Sequence, residues 1–294
     1  MLPFKLMAQL PQLVAAVWNE RQWLKKFVTE NQVDVVISDN RFGLYTPGCY
    51  CVFITHQLEI QAPFPWLQKL VRKLNYSFIN RFKECWVPDF AGSHNLSGSL
   101  GHPAKPPSIP TYYIGPLSRF SLQPQRASKW KWLFLLSGPE PQRTALEDKL
   151  LKVSERLPGS KLLLRGLPND SAFLPGNDQL TVLSHLGGQD LQAAIQEANT
   201  VVCRAGYTSI MELVALNAKA VLVPTPGQTE QEYLAGRLEN LNWFGSALQS
   251  LPDEVFAEKL LKASGHQYTL PKVEELGPER FLSAFINRVK KLQQ

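Results

Sequence analysis

The chain has 294 residues, of which 44% are hydrophobic and 19% charged, so it can build two ordinary domains with buried cores and is not a disordered chain. Its formal net charge of +6 suits phosphate-bearing ligands, anionic membrane surfaces and nucleic acid alike. Four cysteines without a Cys-x-x-Cys pair favour reduced, buried thiols, an intracellular compartment and no structural zinc. No stretch has the about 18 apolar residues of a membrane-spanning helix, and the first residues lack a signal-peptide pattern.

The first third of the chain predicts a helix followed by short strands. Residues 1–31 carry apolar side chains at helical spacing. Residues 33–38 and 50–55 predict two buried strands, followed by Asp39 and by His56. Both side chains are candidate site residues, because ligands bind beyond the carboxyl ends of strands in an open α/β sheet. A turn-forming Asp39 and a satisfied, half-buried His56 are equally supported alternatives.

A basic and apolar segment, residues 64–82, follows the second strand. Lysines and arginines are interleaved with leucines and aromatic residues, which predicts an amphipathic helix over residues 68–82. Such a helix can lie on an anionic membrane surface. More often this pattern belongs to a helix with one side in the core and a solvated basic side. A strand over residues 84–87, a Gly-, Ser- and Pro-rich loop and a strand ending near residue 116 complete this half.

The second half alternates strand and helix more regularly. Strands are predicted over residues 130–136, 161–164, 180–183, 200–203 and 220–223. Asp190 is a suitable N-cap for a helix, and Thr229 with Glu232 has the spacing of a capping box. We therefore predict a doubly wound parallel sheet over residues 116–277, after a domain of residues 1–115 and before a terminal amphipathic helix of residues 278–294.

The turn after residue 203 is the strongest candidate for a binding site. Gly206 permits a tight turn, and Ser209 and Glu212 have the spacing of a capping box at a helix start. Backbone N–H groups at a helix amino end suit a phosphate, and Arg204 could add a cation. Any strand–helix unit has such a turn, so the spacing alone also fits a capped helix that binds nothing.

Several motifs occur in an order that resembles a known family. They are Ser137-Gly138-Pro139-Glu140, the lone Arg165, the run from Cys203 through Glu212, and Pro224-Thr225-Pro226-Gly227-Gln228 with the acidic segment that follows it. Together they resemble the nucleotide-sugar domain of GT-B glycosyltransferases of the family-28 type. That family includes the peptidoglycan enzyme that adds N-acetylglucosamine to a lipid-linked muramyl precursor, and plant galactolipid synthases. Residues 35–43 and 53–57 look like predicted UDP-N-acetylglucosamine:lipopolysaccharide transferase-like proteins.

The resemblance implies a UDP-sugar donor and a binding role for each matching residue. The diphosphate would lie at the turn of Ala205, Gly206, Tyr207 and Thr208, with Ser137 and Gly138 nearby at an interdomain cleft. Glu212 would accept hydrogen bonds from the ribose hydroxyls, because a carboxylate is an acceptor. The remaining implied contacts are Gln231 and Glu232 to the donor sugar, Arg165 near the uridine, and Ser184, His185 and Leu186 beside the base.

The implied fold is α/β of GT-B type, with two doubly wound parallel-sheet domains facing a cleft. The implied reaction is an inverting, metal-independent transfer of a hexose or N-acetylhexosamine to an acceptor hydroxyl, with no cofactor beyond the donor. A helix amino end can stabilise the leaving diphosphate, and Asp39 and His56 are the candidates for the general base. A lipid-linked or glycan acceptor and a cytoplasmic protein with peripheral contact through residues 64–82 at the inner membrane face are further expectations.

The sequence departs from the family pattern at its beginning. The pattern opens with a strand and a Gly-rich loop that carries a histidine suited to act as base, whereas this chain opens with a helix. We therefore expect an incomplete amino-terminal domain. Two alternatives follow: a non-catalytic UDP-sugar-binding subunit or fragment that needs its amino-terminal half, and a UDP-sugar 2-epimerase, which shares the GT-B architecture. Nucleic-acid binding is not expected, because the basic residues are scattered and no standard motif is present.

Overall fold

The computed structural model describes residues 2–61, 64–124, 127–169, 176–273 and 277–292. The chain forms two compact units. The first unit combines residues 1–115 with residues 276–294, and the second unit consists of residues 116–275.

Helices and strands alternate through both units. The first unit contains α1 (Leu2–Asn31), β1 (Val35–Asp39), β2 (Tyr50–Ile54), α2 (Pro65–Ile79), β3 (Glu84–Val87), a short 3-10 helix (Gly98–Leu100) and β4 (Thr111–Tyr113). The second unit contains β5 (Trp130–Leu135), α3 (Gln142–Ser154), β6 (Lys161–Leu164), β7 (Leu180–Leu183), α4 (Gly188–Gln196), β8 (Ala198–Cys203), α5 (Tyr207–Ala215), β9 (Ala220–Leu222), α6 (Thr229–Asn240), β10 (Gly245–Ser246) and α7 (Asp253–Gly265). Helix α8 (Gly277–Leu292) belongs to the first unit.

The described residues of the first unit form a sheet of four parallel strands in the order β1–β2–β3–β4. Because successive side chains of a strand point to opposite faces, each face packs on different elements. Phe53 and Cys85 belong to a buried cluster with Phe82. Trp86 belongs to the other face, where it meets the rings of Phe281 and Phe285 of α8. The sheet is therefore covered by α8 on one side.

An ion pair between a buried carboxylate and a half-exposed arginine holds α8 against this sheet. Glu84 of β3 is 1% exposed, and Nη2 of Arg288 donates to its two carboxylate oxygens at 2.7 and 2.9 Å. Nε1 of Trp86 donates to the same carboxylate at 3.0 Å, and Nη1 of Arg288 donates to the hydroxyl of Tyr112. A buried charge is costly without a partner, so Glu84 depends on the helix that brings Arg288.

In the second unit, the part of the chain that the structure describes forms a sheet of six parallel strands in the order β10–β9–β8–β5–β6–β7. From β5 the chain moves outward to β6 and β7, then returns to the other side of β5 to form β8, next to which β9 and β10 are added. The register sets Leu135 of β5 beside Cys203 of β8. The strand order reverses at this pair, and the carboxyl ends of β5 and β8 form the topological switch point where ligands bind in such sheets.

The predicted alternation of strands and helices is confirmed in the second unit, but several helix starts differ from the prediction. Helix α4 begins at Gly188 with Gly187 as its N-cap, so Asp190 lies in the first turn and the N-cap prediction for it is wrong. Helix α7 and the two-residue strand β10 were not predicted. Helix α2 begins at Pro65, where the fixed backbone of proline suits a first helical position.

Both predicted capping boxes are wrong. Gly206 is the N-cap of α5, so Ser209 is the third helical residue, and the helix has no side-chain cap. Gln228 is the N-cap of α6 and Thr229 is the first helical residue. In both cases the spacing of hydroxyl and carboxylate is present, but the helix begins nearer the preceding strand than the spacing suggests.

Candidate functional site

The residues predicted to bind a donor lie along one edge of the second unit's sheet. Because all six strands are parallel, the segments that follow them emerge at the same edge. Ser137 and Gly138 follow β5, Arg165 follows β6, and Ser184 to Leu186 follow β7. Residues 204–206 join β8 to α5, which begins with Tyr207 and Thr208. Gln231 and Glu232 lie in the first turn of α6, after the loop that follows β9. The structure thus brings the predicted donor residues of this unit to one edge.

The turn between β8 and α5 leaves the amino end of α5 open. Gly206 has φ −74 and ψ 138, a conformation open to any residue, so the tight turn does not require a glycine. The backbone N–H groups of Thr208 and Ser209 have no acceptor among the described residues. Ala205 and Tyr207 are buried and Thr208 is exposed. The turn therefore presents unpaired amides beside a helix amino end, which suits an anion.

Arg204 does not face outward from this turn, contrary to prediction. The residue is 2% exposed, and its guanidinium donates to the backbone carbonyls of Val223 and Pro224 at 3.3 Å and of Gln142 at 2.6 Å. Burial lowers the pKa of Arg204 to about 10, which leaves it charged at neutral pH. Arg204 ties the ends of β8 and β9 to the start of α3, and the expectation of a cation directed at a ligand is corrected.

Glu212, on the second turn of α5, has a partner that the sequence analysis missed. Nε of Arg119 donates to Oε1 of Glu212 at 2.8 Å. The side chain of Glu212 is 10% exposed, whereas that of Arg119 is 60% exposed. Burial, followed by the charge of Glu212, raises the pKa of the Cys203 thiol to about 12. Glu212 is thus a largely buried carboxylate close to the end of β8, held through one oxygen by an arginine.

Arg165 belongs to a network of charges at the start of α3. Its Nε donates to Oε1 of Glu147 at 2.6 Å, and Arg143 donates to the other carboxylate oxygen of Glu147. Arg143 also bonds Glu140 at 2.6 Å and reaches the carbonyl of Arg165. Glu147 is 4% exposed, so two arginines neutralise one buried carboxylate. The sequence pointed to Arg165 alone, and its two partners come from α3.

Gln231 and Glu232 shape the loop that precedes their own helix. Oε1 of Gln231 accepts the N–H of Thr225 at 2.9 Å, and Oε1 of Glu232 accepts the N–H of Gly227 at 2.9 Å. Gln231 also donates to the side chain of Gln228. Both side chains therefore have structural roles in the loop, and Glu232 remains exposed at the edge.

The segments after β5 and β7 are exposed or half-buried at this edge. Gly138 has φ +101, a region that favours glycine, and a Cβ there would meet no atom within 4 Å. Ser137 is exposed. The carbonyl of Ser184 accepts the N–H of Leu167, while His185 is exposed and Leu186 half-buried.

The two candidate bases lie at the carboxyl edge of the first unit's sheet. Asp39 ends β1 and is opposite Ile54, two residues before His56. Asp39 is exposed and His56 is half-buried. The N–H of Asn40 donates to the carbonyl of Ile54, which fixes the end of β1 against β2. The parallel register thus brings both predicted residues to neighbouring strand ends.

A buried carboxylate after β3 was missed by the sequence analysis. Asp89 is fully buried and accepts the N–H groups of Phe90, Leu96 and Ser97, the hydroxyl of Ser97, and Nε2 of His102 at 3.2 Å. Burial alone would raise the pKa of Asp89, but the hydrogen bonds from His102, Ser97 and the amides outweigh it and hold that pKa below its ordinary value. Asp89 therefore organises the loop that follows β3.

Helix α2 places apolar side chains outward as well as inward. Asn75 and Ile79 are buried, as a core-facing helix requires. Its exposed large apolar residues, with the one that precedes it, are Phe64, Trp66, Leu70 and Leu74. Lys69 and Lys73 are exposed beside them. Within the described residues, no helix has both the length and the apolarity that crossing a bilayer demands.

No cluster of three histidine, cysteine, aspartate or glutamate side chains is arranged for a metal ion in the part of the chain that the structure describes. All four cysteines are free and buried.

Comparison with known sequences identifies part of the second unit. Residues 181–263 match the model of the glycosyltransferase family 28 C-terminal domain. A stretch of 140 residues is 31% identical to a UDP-N-acetylglucosamine–N-acetylmuramyl-(pentapeptide) pyrophosphoryl-undecaprenol N-acetylglucosamine transferase of Desulforudis audaxviator, covering 44% of this chain and 35% of that protein. A protein of the same description from Methylorubrum extorquens is 36% identical over 75 residues, which cover 26% and 20% of the two chains. The matches thus span at most 35% of the length of these curated relatives.

Comparison with solved structures extends the similarity over most of the chain. A glycotransferase of kitacinnamycin has a TM-score of 0.65 at 13% identity, covering 88% of this chain and 74% of that one. MurG of Acinetobacter baumannii has a TM-score of 0.53 at 15% identity, with 92% and 77% covered. A protein described as a UDP-N-acetylglucosamine 2-epimerase of Listeria monocytogenes has a TM-score of 0.63 at 10% identity, with 95% and 81% covered. These likenesses confirm the α/β fold of GT-B type.

Proposed function

The chain is of the family-28 type of GT-B glycosyltransferases, and on that premise we propose that it transfers a hexose or N-acetylhexosamine from a UDP-sugar to an acceptor hydroxyl, with inversion and without a metal. The observation that carries this proposal is the open amino end of α5 at the switch point between β5 and β8. Such a site is built for a phosphate group, which a nucleotide-sugar supplies.

The diphosphate of the donor binds at the turn of residues 205–208, at the open amino end of α5. The amides of Thr208 and Ser209 are unpaired among the described residues, and the dipole of α5 adds about half a positive charge. Charge develops on the diphosphate as the bond to the sugar breaks, so these fixed dipoles stabilise the transition state. The exposed backbone at Ser137 and Gly138 borders the same switch point. Arg204 contributes by holding the strand ends in place.

The nucleoside and the sugar bind on either side of the diphosphate. Glu212 accepts the ribose hydroxyls, and the segment of Ser184, His185 and Leu186 borders the base with Arg165 nearby. Gln231 and Glu232 bind the sugar hydroxyls with the polar atoms that their loop does not use. These roles are supported by the placement of all these residues at one sheet edge.

The general base is Asp39 or His56. The base removes the proton of the acceptor hydroxyl, the hydroxyl oxygen bonds to the anomeric carbon, and the bond between that carbon and the diphosphate oxygen breaks with its electron pair on UDP. Support comes from the position of both residues at the carboxyl edge of their sheet, with Asp39 exposed.

We propose further that α2 contacts the inner face of the cytoplasmic membrane and brings the protein to a lipid-linked acceptor. The supporting observation is the exposed set Trp66, Leu70 and Leu74, four residues apart on one side of the helix, with Lys69 and Lys73 beside it. Co-sedimentation with anionic vesicles tests this contact. The double variant Leu70→Glu with Leu74→Glu is expected to lower vesicle binding at least about tenfold, and unchanged binding contradicts it.

One observation favours a second candidate, a UDP-sugar-binding subunit completed by another polypeptide. Strand β1 is an edge strand within the described residues, and Ile37 on it is 44% exposed. Trp18, Trp23 and Phe27 of α1 are exposed as well. Exposed apolar side chains and an open strand edge in the same unit suit a protein partner.

A thermal shift with UDP tests the shared donor site. At 100 times its dissociation constant, UDP is expected to stabilise the protein by about 2.7 kcal/mol, which corresponds to a rise of several degrees in melting temperature. Glu212→Ala is expected to remove most of this rise. No shift with UDP, or the same shift in the variant, contradicts the proposed donor site.

Product analysis with a UDP-sugar separates the candidate functions. A transferase releases UDP when an acceptor is added, a 2-epimerase changes the UDP-sugar without any acceptor, and a non-catalytic subunit binds UDP but gives neither product.

A further inference from the structure

Arg119 lies on a segment that is fastened against two helices of the second unit. The N–H of Leu117 donates to the sulfur of Met211 on α5 at 3.3 Å. Nε2 of Gln192 on α4 donates to the carbonyl of Ser121 at 2.7 Å. The backbone of Arg119 is thus held between these two anchors, next to α5.

The side chain of Arg119 is also fixed. Its Nε donates to Oε1 of Glu212 at 2.8 Å, and its guanidinium carbon lies 4.8 Å from the centre of the Phe120 ring. Phe120 is 6% exposed and gives the guanidinium a rigid surface. Arg119 therefore meets Glu212 in one defined geometry, although most of its side chain is exposed.

This contact gives the two carboxylate oxygens of Glu212 different environments. Oε1 is bonded by Arg119, whereas Oε2 has no hydrogen-bond partner in the described part of the chain. A charge-assisted hydrogen bond to one oxygen restricts rotation of the carboxylate and leaves the second oxygen as an acceptor. The pair also brings no net charge to the site, so the carboxylate does not repel a nearby diphosphate.

We infer that Arg119 is a positioning residue that orients Glu212 to bind the 2′-hydroxyl of the donor's ribose, and that this pair makes the site selective for ribonucleotides over 2′-deoxyribonucleotides. The inference rests on the proposed function, because it assigns a nucleoside diphosphate to the amino end of α5. Arg119 acts through Glu212, and its effect belongs to the ribose end of the ligand.

Two effects of Arg119 can be separated by comparing UDP with 2′-deoxy-UDP. The positive charge of Arg119 affects the two ligands equally, because both carry the same diphosphate. The orientation of Glu212 affects UDP alone, because the deoxynucleotide lacks the hydroxyl. The ratio of the two dissociation constants therefore reports the positioning, and their common change reports the charge.

Isothermal titration calorimetry of the full chain with UDP and 2′-deoxy-UDP tests the inference. We expect the wild type to bind UDP about tenfold more tightly than the deoxynucleotide, as loss of a hydrogen bond to a charged group implies. Arg119→Met is expected to reduce this ratio to about threefold or less, whatever happens to both affinities together. Arg119→Lys keeps the positive charge without the guanidinium group. Compared with Arg119→Met, it is expected to restore the affinity for both nucleotides but not the ratio of their dissociation constants.

Arg156→Met is the matched control, since Arg156 forms an exposed pair with Glu254 at 2.7 Å in the same unit. It is expected to keep the wild-type ratio. Glu212→Gln is expected to reduce the ratio of dissociation constants as Arg119→Met does. The double variant Arg119→Met with Glu212→Gln is expected to reduce this ratio no further. The inference is overturned if Arg119→Met keeps the wild-type ratio of dissociation constants, or if the wild type binds UDP and 2′-deoxy-UDP equally well. Neither result contradicts the binding of UDP itself. No binding of UDP to the wild type overturns the proposed function as well.

Discussion

The sheet of the second unit reverses its strand order between β5 and β8, whereas the described strands of the first unit advance from β1 to β4 without reversal. Where the order reverses, the segments after two neighbouring strands lead to opposite faces of the sheet and leave a crevice between them. Polar residues at strand ends in the second unit therefore border a crevice, while among the described strands no such reversal lies beside Asp39 and His56. A donor site can be argued from the second unit by itself, and the base cannot be chosen by the same argument.

The first prediction tests whether the first unit supplies the general base while the second unit binds the donor, and it has the largest expected effect. Replacing the true base, by Asp39→Asn or His56→Gln, should lower turnover by about 10²–10⁴-fold, because proton removal from the acceptor is lost. The melting shift produced by UDP should stay at the wild-type value in both variants. Turnover is measured as UDP release with a lipid-linked or glycan acceptor. If either variant abolishes the UDP shift, the division of labour between the sheets is wrong.

The second prediction compares two arginines of opposite exposure. Arg204→Met leaves three backbone carbonyls of the second unit, two of them buried, without their charged donor, so it should lower the free energy of unfolding by roughly 3 kcal/mol or more. Arg41→Met in the first unit removes an exposed pair with Glu20 and should cost about 1 kcal/mol or less. Urea unfolding of both variants gives the two values. Equal costs would mean that Arg204 is not the structural tie between β8, β9 and α3.

The third prediction concerns pH and the first unit. Since hydrogen bonds hold the pKa of Asp89 below its ordinary 3.8, the unfolded chain binds this proton more readily than the folded chain does. Its stabilisation is therefore complete above the unfolded pKa and is lost as the pH falls below about 3.8 toward the folded value. Urea unfolding at pH values from 6 down to about 3 measures this slope. Asp89→Asn should flatten it, while Asp39→Asn, at an exposed carboxylate, is the control; a slope unchanged by Asp89→Asn refutes the assignment.

The smallest expected effect tests the corrected start of α5. Ser209→Ala should change the free energy of unfolding by about 0.5 kcal/mol or less, because Ser209 is the third helical residue and caps nothing. A true N-cap serine would cost about 1 kcal/mol. Thermal unfolding of this variant against the wild type distinguishes the two values, and a loss of the larger size would restore the capping box.

The positions of the site segments could be predicted from the sequence because they depend on local patterns. Apolar runs such as residues 200–203 mark strands, and the polar residues after them fall at one edge once the strands are parallel. Helix starts were harder, since a hydroxyl followed by a carboxylate three residues later has the same spacing inside a helix as at its cap. Gly206 was correctly placed at the turn, but its backbone angles are ordinary.

Contacts between distant residues could not be predicted. Arg119 and Glu212 are 93 positions apart, and nothing local marks them as partners. The same holds for Arg165 with Glu147 and for His102 with Asp89, because each pair meets only when the sheet is assembled. The direction of Arg204 depends on which carbonyls β9 and α3 bring near it. The sequence thus predicted that charged residues such as Arg165 and Arg204 lie near this edge, but their partners and orientation required the folded structure.

The pairing of Glu84 with Arg288, 204 positions later, has a consequence for biosynthesis. While the polypeptide leaves the ribosome, the second unit emerges whole before Arg288 does, so it can fold first. Until α8 is synthesised, the carboxylate of Glu84 on β3 lacks its arginine partner, and Trp86 is not covered by the rings of α8. The first unit can therefore complete its packing around Trp86 and Glu84 only after α8 has been synthesised.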